Sequence, residues 1–253
     1  MAFRKNNTYK YESGKTFKLS RSGIDSFIKC QRCFYLNKVG NIKDIGMPAF
    51  SLNSAHDELM KKELDIYREK AEAHPYMKSL KRNLIPFQHE KMEDWRNNRK
   101  GITYHHERTD LIITGSVDDV WIDTETNELI IVEYKSTSTQ SEIDLNDGTP
   151  WKDQYKRQID IYQWLFKMNG FKVADDSVFL YSNGIKTSEK FNDVMKFKTY
   201  ILEYKGSTQW VEEKIFEIKK VLDKEIIPDS SEECETCSYV VSVNELEKNS
   251  DIW

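Results

Sequence analysis

Between residues 22 and 70 apolar side chains recur every three or four positions, and from 102 to 135 they recur every second one. These are the signatures of an amphipathic helix and of a half-buried strand. In SGIDSFIKCQRCFYLNKVG, the residues Ile24, Phe27, Ile28, Phe34 and Tyr35 predict one helix ending near Gly40, with Ser20 or Ser22 as its cap. Residues 1–19 read as a polar lead-in. SLNSAHDELMKKELDIYREK predicts a second helix with Leu52, Ala55, Leu59, Leu64 and Tyr67 on one stripe. A third, polar helix is expected over residues 77–99.

The period-two region predicts a meander of three strands, near 102–113, 116–123 and 128–135, with TETNE as the turn between the last two. A polar loop follows, then an amphipathic helix over 151–169 closed by Gly170. Strands near 177–182 and 196–204, a helix over 208–224 and a cysteine-containing tail complete the chain. This order predicts an α/β core with a helical front. No composition shift marks a boundary, so one domain over 1–253 is expected, with a helical part (20–100), a sheet core (102–205) and a C-terminal helix with the cysteine tail (206–253).

Composition narrows the function classes. A hydrophobic fraction of 38% and an aromatic fraction of 12% can fill a core. A formal charge of −4 excludes a surface coated in basic residues, so any nucleic-acid contact requires a local groove. MAFRKNNTYK carries no apolar signal region and no apolar run reaches membrane-spanning length, which predicts a soluble, cytoplasmic protein without membrane association. In a reducing compartment its four cysteines are expected as thiols or metal ligands rather than disulfides.

One strand end stands out. ELIIVEYKST is an apolar run that closes on Glu133 and Lys135, both on the face of Ile131. A solvated sheet rim accounts for such charges as well. The preceding strand, however, brings Asp118 and Asp119 one tight turn away. Two carboxylates held together repel unless a cation lies between them, and a hard divalent ion such as Mg²⁺ takes oxygen ligands. Lys135 is then placed to orient a water or to stabilise developing negative charge.

Gly115-Ser116-Val117-Asp118 followed by Glu133-Tyr134-Lys135 resembles the active site of PD-(D/E)XK nucleases. The nearest branch is the RecB-like exonucleases, including AddB-type nucleases and the iron–sulfur nucleases of CRISPR adaptation. The resemblance implies a mixed central sheet flanked by helices, with the Asp and Glu as metal ligands and the Lys assisting the attacking water. It also implies a helical His ligand upstream, for which LNSAHDELMKKE supplies His56, and a nitrogen ligand beside carboxylates makes Mn²⁺ suitable beside Mg²⁺. On this reading His56, Asp118, Glu133 and the backbone carbonyl of Tyr134 hold the ion. In YKRQIDIYQWLF, Gln158 and Tyr162 match a Gln and Tyr that wall the site or touch the nucleic-acid backbone. Lys152, Lys156 and Arg157 are candidate phosphate contacts, with Arg96, Arg99 and Lys100 behind them.

All four cysteines fall in two C-x-x-C pairs, Cys30/Cys33 and Cys234/Cys237, the complement of a structural zinc site or a cubane cluster. The relatives' [4Fe–4S] cluster takes one N-terminal and three C-terminal cysteines; here Val243 stands at the last position and Cys33 is the substitute. Zn²⁺ is the chemical alternative. The function implied is a metal-dependent deoxyribonuclease, an exonuclease on single strands or ends, with protein partners in a repair or CRISPR-adaptation complex. Two alternatives are a catalytically idle nucleic-acid-binding module and a metal-clipped structural protein.

Overall fold

Ser20 ends the first strand and starts the first helix. Its hydroxyl accepts from the Gly23 amide at 3.1 Å, supplying one of the partners that a helix N-terminus lacks. In the computed structural model, which describes residues 8–11, 13–43 and 50–249, this junction joins β1 (Phe17–Ser20) to α1 (Arg21–Lys29). The first seven residues of the expected polar lead-in lie outside the described residues, and its end is a strand rather than loop.

The chain divides into two compact units. One comprises Met1–Met47, His105–Ile113 and Glu212–Trp253; the other comprises Pro48–Tyr104 and Thr114–Val211.

In the first unit the single helix expected up to Gly40 is two. Cys30, with φ −160° and ψ 112°, is extended, and α2 (Gln31–Lys38) starts after it. Packing overrides local propensity here, as helices draw most of their stability from a buried face. Ile24, Phe27, Phe34 and Tyr35 are buried, and the rings of Phe27 and Phe34 meet edge-on at 5.3 Å. Most of α6 (Gln209–Leu222) belongs to this unit, with Ile215, Ile218 and Leu222 in its core. Tyr35 donates its hydroxyl to the Lys224 carbonyl at 2.6 Å, and Tyr9 donates to Asp223. The cysteine tail is itself helical, as α7 (Glu235–Asn249), and no side chain of that helix is buried.

The second unit begins its described part with α3 (Ser51–Lys70), as expected. The helix buries a different stripe: Met60, Leu64 and Arg68 are inside, while Leu52 and Leu59 are exposed. The polar helix expected over 77–99 is absent. In its place are a 3₁₀ turn (Pro75–Ser79), a short strand β2 (Leu84–Pro86) and one helical turn and a half, α4 (Met92–Arg96). Leu84 and Pro86 alternate inward at a sheet edge, where a proline's missing amide costs no ladder bond.

The first expected strand is also two, β3 (Ile102–His106) and β4 (Leu111–Gly115), turned by Asp110 in the left-handed region at φ +53°. These pair in a small sheet of order β1-β4-β3, so the expected three-strand meander does not form. The main sheet is β2-β5-β6-β7-β8, with β5 (Asp119–Asp123), β6 (Leu129–Thr137), β7 (Asp176–Gly184) and β8 (Phe197–Lys205). β6 and β7 are parallel and the other pairs antiparallel. Met60 and Leu64 of α3 pack with Trp121, Ile130, Val132, Tyr134 and Leu180 on one face. No helix among the described residues is long and apolar enough to cross a membrane.

Candidate active site

Alternation along β6 sends Glu133 and Lys135 to one face of the sheet and Tyr134 to the other. On the Glu133 face lies α5 (Pro150–Met168), whose Gln158 and Tyr162 stand one helical turn apart. Glu133 Oε1 accepts from Lys135 Nζ at 2.6 Å and from Gln158 Nε2 at 2.7 Å. Gln158 Nε2 also donates to the Tyr162 hydroxyl at 3.0 Å, and its Oε1 accepts from Lys135 at 3.3 Å. The Lys135 ammonium lies 3.9 Å from the centroid of the Tyr155 ring. Gln158 and Tyr162 share a face as expected, yet both are buried, Tyr162 at 2% exposure. Gln158 is thus committed to Glu133 and Lys135, and Tyr162 to Gln158.

Gly115 is a steric requirement of that packing. A Cβ there would meet Tyr162 Cε1 at 2.5 Å, closer than real Cβ contacts come.

The two aspartates part company. Asp118 Oδ2 accepts from the Tyr134 amide at 2.8 Å, which ties it to the strand carrying Glu133. Asp119 points the other way and is fully buried. Its carboxylate takes Arg68 at 2.6 Å, Arg96 at 2.9 Å, the Tyr134 hydroxyl at 2.9 Å and its neighbour's amide at 2.7 Å. Burial alone would raise the Asp119 carboxyl, but Arg96 and Arg68 hold it below its ordinary value. Burial and the charge of Asp119 push the Tyr134 hydroxyl well up, so it stays a neutral donor.

Asp118 shifts oppositely. Burial, then the charges of Glu133 and Asp57, raise its carboxyl well above the usual range, and Lys61 and Lys135 only partly offset them. Lys61 Nζ is 2.7 Å from Asp57 and 3.8 Å from Asp118. The remaining Glu133 oxygen, Oε2, is buried with no hydrogen-bond partner among the described residues. Crowded carboxylates with an orphaned buried oxygen fit a hard divalent cation.

His56 of α3 completes the wall of a cleft of about 370 Å³ lined also by Phe50, Asp57, Asp118, Tyr134, Lys135 and Tyr155. Burial lowers the His56 pKa, keeping its ring neutral and able to ligate a metal. Its ring centroid is 5.2 Å from that of Phe197. His56, Asp118, Tyr134 and Lys135 thus border one cleft, with Glu133 hydrogen-bonded to Lys135. Sequence reasoning missed Asp57, Lys61 and Tyr155. Asp57 and Lys61, spaced i and i+4, carried a signal of pairing but none of a site.

A family model for the PD-(D/E)XK nuclease superfamily matches residues 18–242. The chain belongs to the PD-(D/E)XK nuclease superfamily. A comparison with curated proteins finds no match. The matched span contains Asp118, Glu133 and Lys135. Superfamily members are nucleases that typically use divalent metals, so a nucleic-acid substrate and metal-dependent hydrolysis follow at that level.

The basic residues behave differently from the expectation for a nuclease groove. Lys152 is buried, bonded to Asp147 and, at 2.5 Å, to the Asp144 carbonyl. Arg96 is buried between Asp65 and Asp119. Both are buried and committed to carboxylates of the protein, Lys152 to the exposed Asp147 and Arg96 to Asp65 and Asp119. Lys156 pairs with Asp153 at 3.2 Å.

A second candidate metal centre lies within the first unit. The sulfurs of Cys30, Cys33, Cys234 and Cys237 all lie within 4.8 Å of one another. Cys33 Sγ is 3.6 Å from Cys234 Sγ and 3.5 Å from Cys237 Sγ, and Cys30 is 3.9 Å from Cys237. The extended Cys30 between α1 and α2 and the start of α7 bring the two pairs together. Burial raises the Cys33 and Cys237 thiols, the latter to about 11; for Cys30, burial is outweighed by backbone hydrogen bonds from Cys33 and Ser231, which bring it to about 7. Four convergent sulfurs fit a thiolate-bound metal.

Proposed function

We propose that this protein is a Mg²⁺- or Mn²⁺-dependent deoxyribonuclease of the RecB-like branch, acting on single strands or ends. The observation that carries the reading is the division of labour on Glu133: one oxygen clamps Lys135 and Gln158, and the other is buried without a hydrogen-bond partner among the described residues. His56, Asp118, Glu133 and the Tyr134 carbonyl are the groups that would hold the ion. When bound, such an ion polarises the phosphate and offsets charge on it during displacement.

The chain's own part is positioning. Gln158, fixed by Tyr162, holds the Glu133 carboxylate and the Lys135 ammonium together. Lys135 donates a hydrogen bond that orients the water for in-line attack on phosphorus. The P–O bond to water forms as the bond to the leaving oxygen breaks. The family match runs through residues of both units, which supports reading the chain as one nuclease domain.

For the cysteine centre, resemblance to relatives favours [4Fe–4S], but the spacing of the sulfurs supports a single zinc ion. Zinc–sulfur bonds of ~2.3 Å in a tetrahedron place sulfurs about 3.8 Å apart; three of the six sulfur pairs here lie at 3.5, 3.6 and 3.9 Å, and all are within 4.8 Å. A cubane sets its four thiolates on four different irons and holds them farther apart. A clip of either kind suits a cytoplasmic repair, recombination or CRISPR-adaptation factor.

The decisive experiment is a time course on end-labelled single- and double-stranded DNA with Mg²⁺ or Mn²⁺. Shortening of labelled strands that stops in chelator is expected. Binding without cleavage would replace the enzyme by an idle binding module, and neither would remove the nucleic-acid reading.

A further inference from the structure

The parallel register of β6 and β7 pairs Lys135 with Tyr181 and Thr137 with Asn183. β7 therefore leaves the sheet at the same end as Lys135, and the connection to β8 projects beside the cleft. That connection is rich in apolar side chains left in solvent: Phe191 is 70% exposed, Val194 58%, and Met195 and Phe197 are exposed as well. Phe197, at its base, touches the His56 ring, and the exposed Phe50 lines the cleft across from Tyr155.

Charge follows the same segment. Residues 185–198 hold Lys186, Lys190, Lys196 and Lys198 against Glu189 and Asp193, a local balance of 4 − 2 = +2 in a chain of −4. All four lysines are exposed. Apolar flat rings alone would suit many partners. Rings alternating with cations, continuous with a cleft built for phosphodiester chemistry, suit a polyanion whose bases are unpaired. A duplex hides its base faces, and a 370 Å³ cleft is at the small end of small-molecule sites.

We propose that the β7–β8 hairpin leads one unpaired polynucleotide strand into the cleft, bases stacking on Phe191 and Phe197 and phosphates meeting Lys190 and Lys196. The proposal rests on the nuclease reading and names the surface that would guide its single-stranded substrate.

The test measures fluorescence anisotropy of a labelled oligonucleotide of about 16 nucleotides, single-stranded or as a blunt duplex. The full chain is used, with Ca²⁺ in place of Mg²⁺. Single strand should bind at least tenfold more tightly than duplex. Phe191→Ala should weaken single-strand binding by about tenfold, and Lys190→Glu with Lys196→Glu should weaken it further and flatten its salt dependence. These residues are exposed, so melting temperature should be unchanged, and circular dichroism checks this. Equal affinity for both forms, or variants that bind like the parent, would overturn the hairpin's role. Hydrolysis of the p-nitrophenyl ester of thymidine 5′-phosphate by the unaltered protein with Mn²⁺ tests the nuclease reading separately, because that ester is too short to span the hairpin.

Discussion

Gln158 donates to Glu133 Oε1 at 2.7 Å, and that bond decides what the rest of the site can do. It occupies the oxygen that also holds Lys135, while the second oxygen is buried without a hydrogen-bond partner among the described residues. Two side chains 25 residues apart in sequence thereby hold the Lys135 ammonium and the Glu133 carboxylate together.

Removing the charges should therefore stop chemistry without unfolding the protein. Glu133→Gln, Lys135→Ala and Asp118→Asn are each expected to lower single-turnover cleavage by at least 100-fold, roughly the scale of losing one charge-stabilising group, while circular dichroism shows the fold retained. Lys135→Ala, which strips the counterion from the buried Glu133, should also lower the melting temperature. Cleavage that persists in Glu133→Gln and Lys135→Ala would exclude this site as the centre of reaction.

Asp119 should behave oppositely. Asp119→Ala strips a counterion from the buried Arg68 and Arg96 and should cost on the order of 3 kcal/mol of stability. Its pH dependence has a definite sign. A carboxyl held below its ordinary value in the folded state contributes stability above the unfolded pKa of ~3.9 and loses it as pH falls through the folded value. Thermal melts from neutral pH downward should show a steeper acid decline for the parent than for Asp119→Asn; parallel curves would contradict the clamp.

Gly115→Ala tests the packing behind the site. The added methyl collides with Tyr162, which must shift and release Gln158. A loss of about 1–3 kcal/mol is expected, with a fall in cleavage rate larger than that of a surface Gly→Ala such as Gly148→Ala. Unchanged cleavage in a stable Gly115→Ala would show that Tyr162 does not position Gln158.

The cysteine centre is tested by its content. Anaerobic purification followed by zinc, iron and sulfide analysis should give about one zinc per chain and a colourless protein. A brown protein with iron and sulfide would favour the cluster instead. Cys30→Ser and Cys234→Ser should each lower the melting temperature by several degrees, since a metal held only by the folded chain stabilises it. Neither metal, with unchanged melting, would return the four residues to ordinary thiols.

Periodicity and charge placement, both local, made much of this protein legible. The helix that carries His56, the strand ending in Glu133 and Lys135, and the helix with Gln158 and Tyr162 were readable from spacing and residue type. Asp118 was singled out by the resemblance of Gly115-Ser116-Val117-Asp118, and the structure ties its carboxylate to the Tyr134 amide. The region over 77–99 misled, because its polar residues mimic a solvated helix while Leu84 and Pro86 take a sheet edge. The break at Cys30 went unread because its extended backbone accompanies a thiol that meets Cys237, distant in sequence, whereas the turn at Asp110 is local and was overrun by the apolar alternation on either side.

What the sequence by itself determined was the inventory: which carboxylates, which lysine, which histidine and which cysteines, in which order. What only the tertiary structure decided was allegiance. Asp118 and Asp119 are neighbours of the same chemistry, yet strand alternation sends one to the Tyr134 amide beside Glu133 and the other to Arg68 and Arg96. Lys152 and Arg96 read as phosphate contacts, but each is buried and already paired, Lys152 with Asp147 and Arg96 with Asp119. A side chain's type fixes the interactions it can make, and burial selects among them, because a charge removed from water must find its partner inside the protein.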